Sequence, residues 1–188
     1  MSRSLEAEFV VPRLRGRFGW PYVYTEVCPS TQRLLGPEHS EGAVAVTEEQ
    51  TEGRGRLGRR WLSPRGVSVL CSILLEPPVE THRWPELSLV AGQACAEAIS
   101  AVTELEPTIK LPNDILLGGR KAAGILAEAS GRRVVLGIGI NVNVQPGELP
   151  EEAATSLLAE TGAEVDRTQV LVELLAALER RYDLWISE

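Results

Sequence analysis

The stretch TIKLPNDILLGGRKAAGILAEASGRRVVLGIGINVNV, residues 108–144, decides the fold. It consists of apolar runs rich in β-formers and small residues, interrupted by Pro112-Asn113, Gly118-Gly119 and Ser130-Gly131. Because these pairs are typical turn sequences, the runs between them predict successive antiparallel strands joined by tight connections. The predicted strands are Thr108–Leu111, Ile115–Leu117, Lys121–Glu128 and Arg133–Val144.

The flanking sequence extends this sheet and adds helices. Val67–Leu75 (VSVLCSILL) alternates in the manner of a strand with one buried face. Pro85–Val102 carries a broad apolar surface suited to packing on a sheet, and the C-terminal segment begins with Asp166 and Gln169 in capping-box spacing. Two upstream strands are predicted at Tyr22–Val27 and Ala43–Thr47, with a brief helix after Ser30-Thr31. This order of elements predicts the α+β class: a mixed, largely antiparallel β-sheet packed by α-helices.

Length and charge restrict the class of protein. With 188 residues and 44% apolar content the chain can bury a real core, and we expect a single domain over residues 1–188. The net charge of −7 argues against a dedicated nucleic-acid binder, because such proteins need a basic face. No apolar run approaches the roughly 20 residues that cross a bilayer, so we expect a cytoplasmic protein without membrane or DNA contacts. Residues 1–18 are polar, too short for a DNA-binding module, and predicted to be a flexible lead-in.

The cysteines and histidines predict neither a disulfide framework nor a metal cluster. Cys28, Cys71 and Cys95 are odd in number and lie in apolar sequence, which predicts reduced core residues. His39 and His82 are far apart and have no cysteine or second histidine close by in the sequence, so we expect neither a structural zinc site nor a histidine-based triad.

The distribution of lysine singles out one segment. The chain has 19 Lys and Arg side chains, yet only Lys110 and Lys121 are lysine, and they bound the segment KLPNDILLGGRK. Lysine is a compact, tunable charge on a flexible stem, whereas arginine is a fixed planar fork. The cluster therefore indicates a site that needs an ammonium group, with chance clustering as the alternative. Lys110 itself is expected to be buried in its strand.

A loop rich in glycine and arginine, Gly53–Trp61 (GRGRLGRRW), indicates an anion site. It matches G-x-G-x-x-G, but Pro64 and Gly66 stand where the helix of a dinucleotide fold would have to follow, so that kind of site is excluded. The glycines let the backbone approach an anion, which favours a mobile clamp on phosphate or carboxylate over a merely solvated loop. Trp61 is predicted either to cover an adenine or to lie in the core. The arginines, expected to be unpaired until an anion arrives, are Arg54, Arg56, Arg59, Arg60 and Arg65.

Polar residues at strand ends predict contacts to a nucleotide. Asn113 and Asp114 suit hydrogen bonds to a nucleotide and to Mg²⁺ among its phosphates, although Pro-Asn-Asp is equally a good turn sequence. The hairpin that follows returns Lys121 toward them. In Gly137–Asn143 (GIGINVN) the glycines thin a central strand, which indicates that a ligand or a backbone segment lies close. Asn141 is then placed to bind adenine through its amide.

An ordered set of motifs resembles the biotin protein ligase family, specifically the catalytic domain of biotin–[acetyl-CoA-carboxylase] ligases. The motifs are Ser30-Thr31, Gln50, GRGRLGRRW, KLPND, KAAGILAE and GIGINVN. The resemblance extends from about Tyr22 to Trp185 and implies an α+β fold related to class II aminoacyl-tRNA synthetases.

The resemblance also implies an ATP-dependent, AMP-forming ligase. Biotin and Mg·ATP would give biotinyl-5′-AMP and pyrophosphate, after which a lysine of the biotin carboxyl carrier domain of a biotin-dependent carboxylase would displace AMP. The expected cofactors are ATP and Mg²⁺, with biotin as the substrate, and a homodimer is left open as the assembly.

The positions of the motifs imply roles for individual residues. Arg54, Arg56 and Lys121 are implied to be catalytic, and Asp114 to hold Mg²⁺. The implied biotin-binding residues are Ser30, Thr31, Gln32, Gln50, Gly53, Arg54, Gly55, Arg56, Lys121 and Gly124. The implied ATP-binding residues are Arg56, Arg59, Trp61, Asn113, Asp114, Lys121 and Asn141.

The sequence departs from the family pattern in places, and alternatives stay open. Gln32 stands where the family has Asn after Ser-Thr, and Leu111 replaces the Trp of KWPND. Neither an N-terminal winged helix nor the family's small C-terminal β-barrel is expected, which implies a ligase without repressor function. The alternatives are a lipoate or octanoate ligase of the same fold, a chain that makes biotinyl-AMP but transfers it poorly, and a non-enzymatic RNA-binding module using the Arg-Gly loop.

Overall fold

The fold is built on one seven-stranded sheet. The computed structural model describes residues 4–149 and 153–188. The strands are β1 (Tyr22–Cys28), β2 (Val44–Gln50), β3 (Ser68–Leu75), β4 (Thr108–Lys110), β5 (Asp114–Leu117), β6 (Arg120–Ser130) and β7 (Arg133–Asn141). Their spatial order is β1-β2-β3-β7-β6-β5-β4. Strand β1 runs parallel to β2, and the other neighbouring pairs are antiparallel, so the predicted fold class is confirmed.

Helices cover one face of this sheet, and short helices lie in several of the connections between strands. The α-helices are α1 (Ala7–Val10), α2 (Leu87–Val102), α3 (Leu157–Thr161) and α4 (Arg167–Ser187). Short 3-10 helices occur at Val11–Arg13, Thr31–Leu34, Arg56–Gly58, Thr81–Glu86 and Pro146–Glu148. Helices α2 and α4 pack against each other, α2 lies on β4 to β6 and α4 contacts β3.

Small residues bring α2 close to the sheet, and leucines anchor α4. Gly92 of α2 faces Ile109, Ile115 and Ile125 of the sheet, which a Cβ there would meet at 3.5–3.7 Å, so the helix backbone can approach the strands. On α4 the fully buried leucines form a stripe, and each buried side chain contributes about 1.5–3 kcal/mol relative to exposure. The carboxylate of Asp166 caps α4 by accepting from the backbone N–H groups of Thr168 at 2.9 Å and Gln169 at 3.3 Å. Gln169 donates to Glu173 instead of returning to Asp166, so only half of the predicted capping box forms.

The prediction of a flexible lead-in is wrong for residues 4–18. Leu5 and Val10 are fully buried, and the Phe18 ring lies 5.8 Å from the ring of Tyr182. The Leu5 N–H donates to the carboxylate of Glu48 at 2.9 Å. The apolar residues here are too sparse to form a pattern along the chain, yet each fills a gap at the edge of the core. Residues 1–3 of the predicted lead-in lie outside the described residues.

The predicted strands are confirmed with small changes at their ends. Strand β7 ends at Asn141, whereas the alternation had predicted Val144. Val142 and Val144 are nevertheless buried. The alternating pattern therefore predicted correctly that these residues are buried, although they do not belong to the strand.

The cysteine prediction is confirmed as well. Cys28, Cys71 and Cys95 are free and buried, and burial raises the pKa of the Cys71 thiol to about 12. Within the part of the chain that the structure describes, no helix has both the length and the apolar character to cross a bilayer.

Candidate active site

A cavity of about 520 Å³ opens on the face of the sheet opposite α2 and α4. Leu136, Ile138 and Ile140 of β7 belong to the helix-covered core, so the intervening glycines of that strand face the other way. Every predicted site residue except Gly53 lines this cavity. The predicted residues that line it are Ser30, Thr31, Gln32, Gln50, Arg54, Gly55, Arg56, Arg59, Trp61, Asn113, Asp114, Lys121, Gly124 and Asn141.

One end of the cavity is a hydrogen-bonding pocket. Gln50 Oε1 accepts from the Thr31 N–H at 2.9 Å and from the Thr31 hydroxyl at 3.3 Å. The Thr31 hydroxyl also lies 2.7 Å from the hydroxyl of Ser72, which is fully buried on β3. Because Gln50 Oε1 already has two donors, its amide nitrogen is the group left for a ligand. Ser72 was missed from the sequence, although a small polar residue inside the apolar run VSVLCSILL was a visible signal.

Gln32 turns the same way and adds an acceptor. Its Nε2 donates to the Leu126 carbonyl at 2.9 Å, while its Oε1 is buried without a partner among the described residues. A Cβ at Gly137 would lie 2.6 Å from Gln32 Nε2, so the glycine is what lets the longer side chain fit against β7. A buried, unpaired acceptor beside a free amide donor suits a ligand that both donates and accepts hydrogen bonds.

Lys121 lines the cavity, and its backbone is hydrogen-bonded on both sides. Its ammonium lies 2.7 Å from Asp114 Oδ1. Its N–H donates to the Ala153 carbonyl and its carbonyl accepts from the Thr155 N–H, both at 2.8 Å. Strand β6 pairs with β7 only from Ala123 onward. At Lys121 the strand instead forms an isolated parallel bridge with Ala154. The predicted convergence of Asp114 and Lys121 is therefore present.

Asn113 joins the turn to the glycine and arginine loop. Its Nδ2 donates to the Ile125 carbonyl at 2.9 Å. The side chain therefore ties the β4–β5 turn to β6, as expected if Pro-Asn-Asp is a structural turn sequence. Its Oδ1 accepts from Arg56 Nη1 at 3.3 Å, so the same side chain also faces the cavity.

The arginine loop is folded over the cavity, and the expectation of unpaired arginines is wrong for several of them. Arg54 makes a two-pronged ion pair with Glu128, with both N–O distances at 2.7 Å. Arg60 donates to the Thr51 carbonyl at 2.8 Å, and Arg65 pairs with Glu26. Glu128 and Glu26, the partners of Arg54 and Arg65, lie on strands β6 and β1. The sequence of the loop alone could not predict these ion pairs.

Gly53 lies at the base of this loop and is not part of the cavity lining. It is buried, and its carbonyl accepts from the Trp61 N–H at 2.9 Å, which closes the loop at its base. A Cβ there would lie 2.3 Å from the Trp61 carbonyl oxygen, so the close approach requires glycine. Its implied contact with biotin stays a prediction, and the structure also gives it a role in shaping the loop.

The indole of Trp61 lies in the site and covers the glycines of the floor. A Cβ on Gly139 would meet the ring at 2.6 Å, and one on Gly124 would meet it at 2.7 Å. Lys121 Nζ lies 5.6 Å from the ring centroid, which is within cation–π range. The indole N–H is buried without a partner among the described residues. The glycine-thinned strand predicted a close neighbour, and that neighbour is this side chain.

The predicted adenine contact of Asn141 stays a prediction, whereas Lys110 differs from its sequence prediction. Asn141 is buried and its amide nitrogen donates to the Thr155 carbonyl at 3.0 Å, so this donor holds the segment that clamps Lys121. Lys110 is exposed at the edge of the cavity and not buried in its strand. Lining residues without polar signals, such as Leu116, Ala153 and Ala154, could not be identified from the sequence.

Asp114, whose Oδ1 lies 2.7 Å from the Lys121 ammonium, carries the one carboxylate that lines the cavity in the described part of the chain. Across residues 4–149 and 153–188, no cluster of three or more His, Cys, Asp or Glu side chains could hold an ion. One carboxylate fits Mg²⁺ that is bound mainly through phosphate oxygens and water, which is how Mg²⁺ usually sits in nucleotide sites.

Comparisons with known proteins agree with this geometry. The model of the biotin/lipoate A/B protein ligase family matches residues 24–145. The bifunctional ligase/repressor BirA of Bacillus subtilis is 39% identical over 176 residues, covering 87% of this chain and 54% of the relative. The biotin–[acetyl-CoA-carboxylase] ligase of Mycobacterium tuberculosis is 40% identical over 151 residues, covering 77% of this chain and 56% of the relative.

A solved structure shows the same fold. The biotin protein ligase of Aquifex aeolicus in complex with biotin and ATP superposes with a TM-score of 0.80 at 38% identity, covering 88% of this chain and 72% of that one. The chain spans about half the length of the curated relatives it matches. Because the family match includes the glycine and arginine loop, Lys121 and Asn141, this chain belongs to the biotin/lipoate A/B protein ligase family.

Proposed function

We propose that this protein is a biotin protein ligase. It activates biotin with Mg·ATP to biotinyl-5′-AMP and pyrophosphate, then transfers biotin to a lysine of a biotin carboxyl carrier domain. The observation that carries the proposal is that one cavity joins a hydrogen-bonding pocket to the Lys121–Asp114 pair under an arginine loop. The names of the relatives from Bacillus subtilis and Mycobacterium tuberculosis support it.

In the first step a biotin carboxylate oxygen attacks the α-phosphorus of ATP, and the bond to pyrophosphate breaks. Two anions must approach each other, so cations have to screen the approach and stabilise the charge on the transferring group. We assign this role to Lys121, and two observations support the assignment: its backbone is hydrogen-bonded on both sides, and its ammonium lies in the cavity beside Asp114. Arg56 adds positive charge from the loop above, because no carboxylate pairs with it among the described residues. When bound, Mg²⁺ supplies neutralisation of the phosphates, and Asp114 is the residue that would hold it.

In the second step the neutral amine of the carrier lysine attacks the carbonyl carbon of biotinyl-AMP. The C–O bond to AMP breaks, the amine loses a proton, and an amide forms. The intermediate is a reactive mixed anhydride, so water must be kept away until the carrier docks. The folded loop and the Trp61 ring are the elements placed to shield it.

The hydrogen-bonding pocket supports biotin over lipoate or octanoate. The ureido group of biotin offers N–H donors and a carbonyl acceptor, which complement Gln32 Oε1 and Gln50 Nε2. A dithiolane ring or an alkyl chain would leave these polar groups buried and unpaired, at about 1–3 kcal/mol for each. The RNA-binding alternative has less support, because Arg54 and Arg65 are already paired with carboxylates.

The decisive experiment measures pyrophosphate release with ATP and each acid in turn. We expect release with biotin and little with lipoate or octanoate. A biotin carboxyl carrier domain added afterwards should gain biotin on one lysine, seen by mass spectrometry. Release with lipoate but not with biotin would refute the proposal.

We place three further properties in the same proposal: a cytoplasmic location, no DNA binding and dimers as the assembly to test. The net charge of −7 supports the second, because DNA binding requires a basic face. Sedimentation at several protein concentrations would establish the oligomeric state.

A further inference from the structure

The most exposed apolar side chains in the described part of the chain directly follow residues that line the cavity, Arg56 and Lys110. Leu57 is 86% exposed and Leu111 is 67% exposed, ahead of every other large hydrophobic residue there. Leu57 follows Arg56, whose Nη1 lies 3.3 Å from Asn113 Oδ1, and Leu111 lies two residues before Asn113. The two leucines therefore flank the contact where the arginine loop meets the β4–β5 turn. Leu62, 51% exposed, lines the same cavity.

The backbone at Leu57 is strained as well as exposed. Its φ is +57°, and it is the only non-glycine residue with positive φ in residues 4–149 and 153–188. A leucine in the left-handed region is unfavourable, and glycine or asparagine would be easier there. Because Leu57 adds nothing to the core and lies near a second exposed leucine, the pair presents apolar surface that a partner could cover.

Positive charge surrounds these leucines on a protein of net charge −7. Arg56, Arg59 and Lys110 line the cavity and are exposed. Arg59 and Lys110 make no ion pair within the described ranges. We call Arg56, Leu57, Arg59, Leu62, Lys110 and Leu111 the mouth patch. It combines apolar contacts with cations that are free to meet acidic groups.

We propose that the mouth patch docks the protein that accepts the acyl group, an acidic carrier domain presenting a lysine. This inference rests on the proposed function. The acceptor amine must reach an intermediate inside the cavity, so the acceptor must sit on the mouth. Leu57 and Leu111 bury against apolar residues beside the target lysine, and Arg59 and Lys110 meet the acidic groups of the carrier. The patch thereby favours one protein lysine over free amines.

The test uses the full chain with Leu57→Asn and Leu111→Gln combined. Asparagine tolerates the left-handed backbone, so the loop keeps its shape. The matched control is Leu184→Ser, since Leu184 is a 62% exposed leucine on α4 that lines a separate groove with Arg15. Three rates are measured for each form: biotin-dependent pyrophosphate release, transfer to a purified acidic carrier domain, and transfer to hydroxylamine.

The double variant should lose about 10-fold or more in kcat/KM for the carrier, mainly through KM, as truncation of buried interface anchors does. Pyrophosphate release and transfer to hydroxylamine should stay within about twofold of wild type, and the Leu184 control should match wild type throughout. Equal carrier transfer by the double variant and wild type would overturn the inference, as would an equal loss in the control. If wild type releases no pyrophosphate with biotin, the proposed function fails instead, so the two failures are distinct.

Charge and self-association provide independent outcomes. Lys110→Glu should slow transfer to the acidic carrier most at low ionic strength, and added salt should shrink the difference from wild type. A difference that does not change with salt would contradict the role of the cations. If sedimentation shows that the double variant loses a dimer while carrier transfer is unchanged, the patch contacts a second copy and the carrier assignment is overturned.

Discussion

Replacing Lys121 by arginine preserves the charge and tests whether the site needs an ammonium. The Lys121 ammonium lies 2.7 Å from Asp114 Oδ1 and 5.6 Å from the centroid of the Trp61 ring. Both hydrogen-bonding groups of its backbone are engaged at 2.8 Å by residues 153–155. A longer side chain at this position therefore cannot be accommodated by a retreat of the backbone.

The size of the effect follows from this geometry. The guanidinium extends about one bond, roughly 1.3 Å, beyond the position of the ammonium and is planar. A misplacement of about 1 Å between reacting groups costs on the order of 100-fold in rate. That corresponds to about 2.7 kcal/mol in the activation free energy. The ion pair with Asp114 can still form, so we expect the free energy of unfolding to change by less than about 1 kcal/mol.

The assay is single-turnover formation of biotinyl-AMP, with thermal unfolding recorded alongside. Lys110→Arg is the matched control, because Lys110 lines the same cavity and makes no ion pair in the described ranges. We expect this variant to form biotinyl-AMP at the wild-type rate. Near wild-type adenylation by Lys121→Arg would refute the reasoning. An equal loss in both variants would show that arginine is harmful anywhere in this cavity.

Three further predictions concern the loop and the pocket. Trypsin should cut within Gly53–Gly66 in the free protein and much less with biotin plus ATP; equal cutting in both states would argue against a loop that closes on its ligand. Arg56→Gly should weaken adenylate retention more than biotin binding and increase biotinylation of a bystander protein, measured by mass spectrometry, and unchanged labelling would assign retention elsewhere. Ser72→Ala should raise the KM for biotin about 3- to 10-fold at constant kcat, because Thr31 loses the 2.7 Å contact that orients its hydroxyl. Ser68→Ala, at another buried serine of the same strand, is its control, and an equal rise there would reduce Ser72 to a structural residue.

Local patterns in the sequence predicted most of the fold. Alternation and turn residues between Thr108 and Asn141 define a four-strand unit, because strand period and turn chemistry depend on near neighbours. The packing of residues 4–18 could not be predicted in this way. Leu5, Val10 and Phe18 are isolated apolar residues, and their burial depends on a gap left by elements far along the chain.

The sequence by itself determined the class of the fold, the arginine loop and the segment that holds Lys121, since each is carried by residues close together in the chain. The tertiary structure alone decided that Trp61 covers Gly139, that Asn141 holds Thr155 and that Arg54 pairs with Glu128. These contacts join residues separated along the chain and are set by strand register and loop closure. A side chain capable of several hydrogen bonds makes the one that its neighbours in space allow, and a sequence pattern does not specify those neighbours.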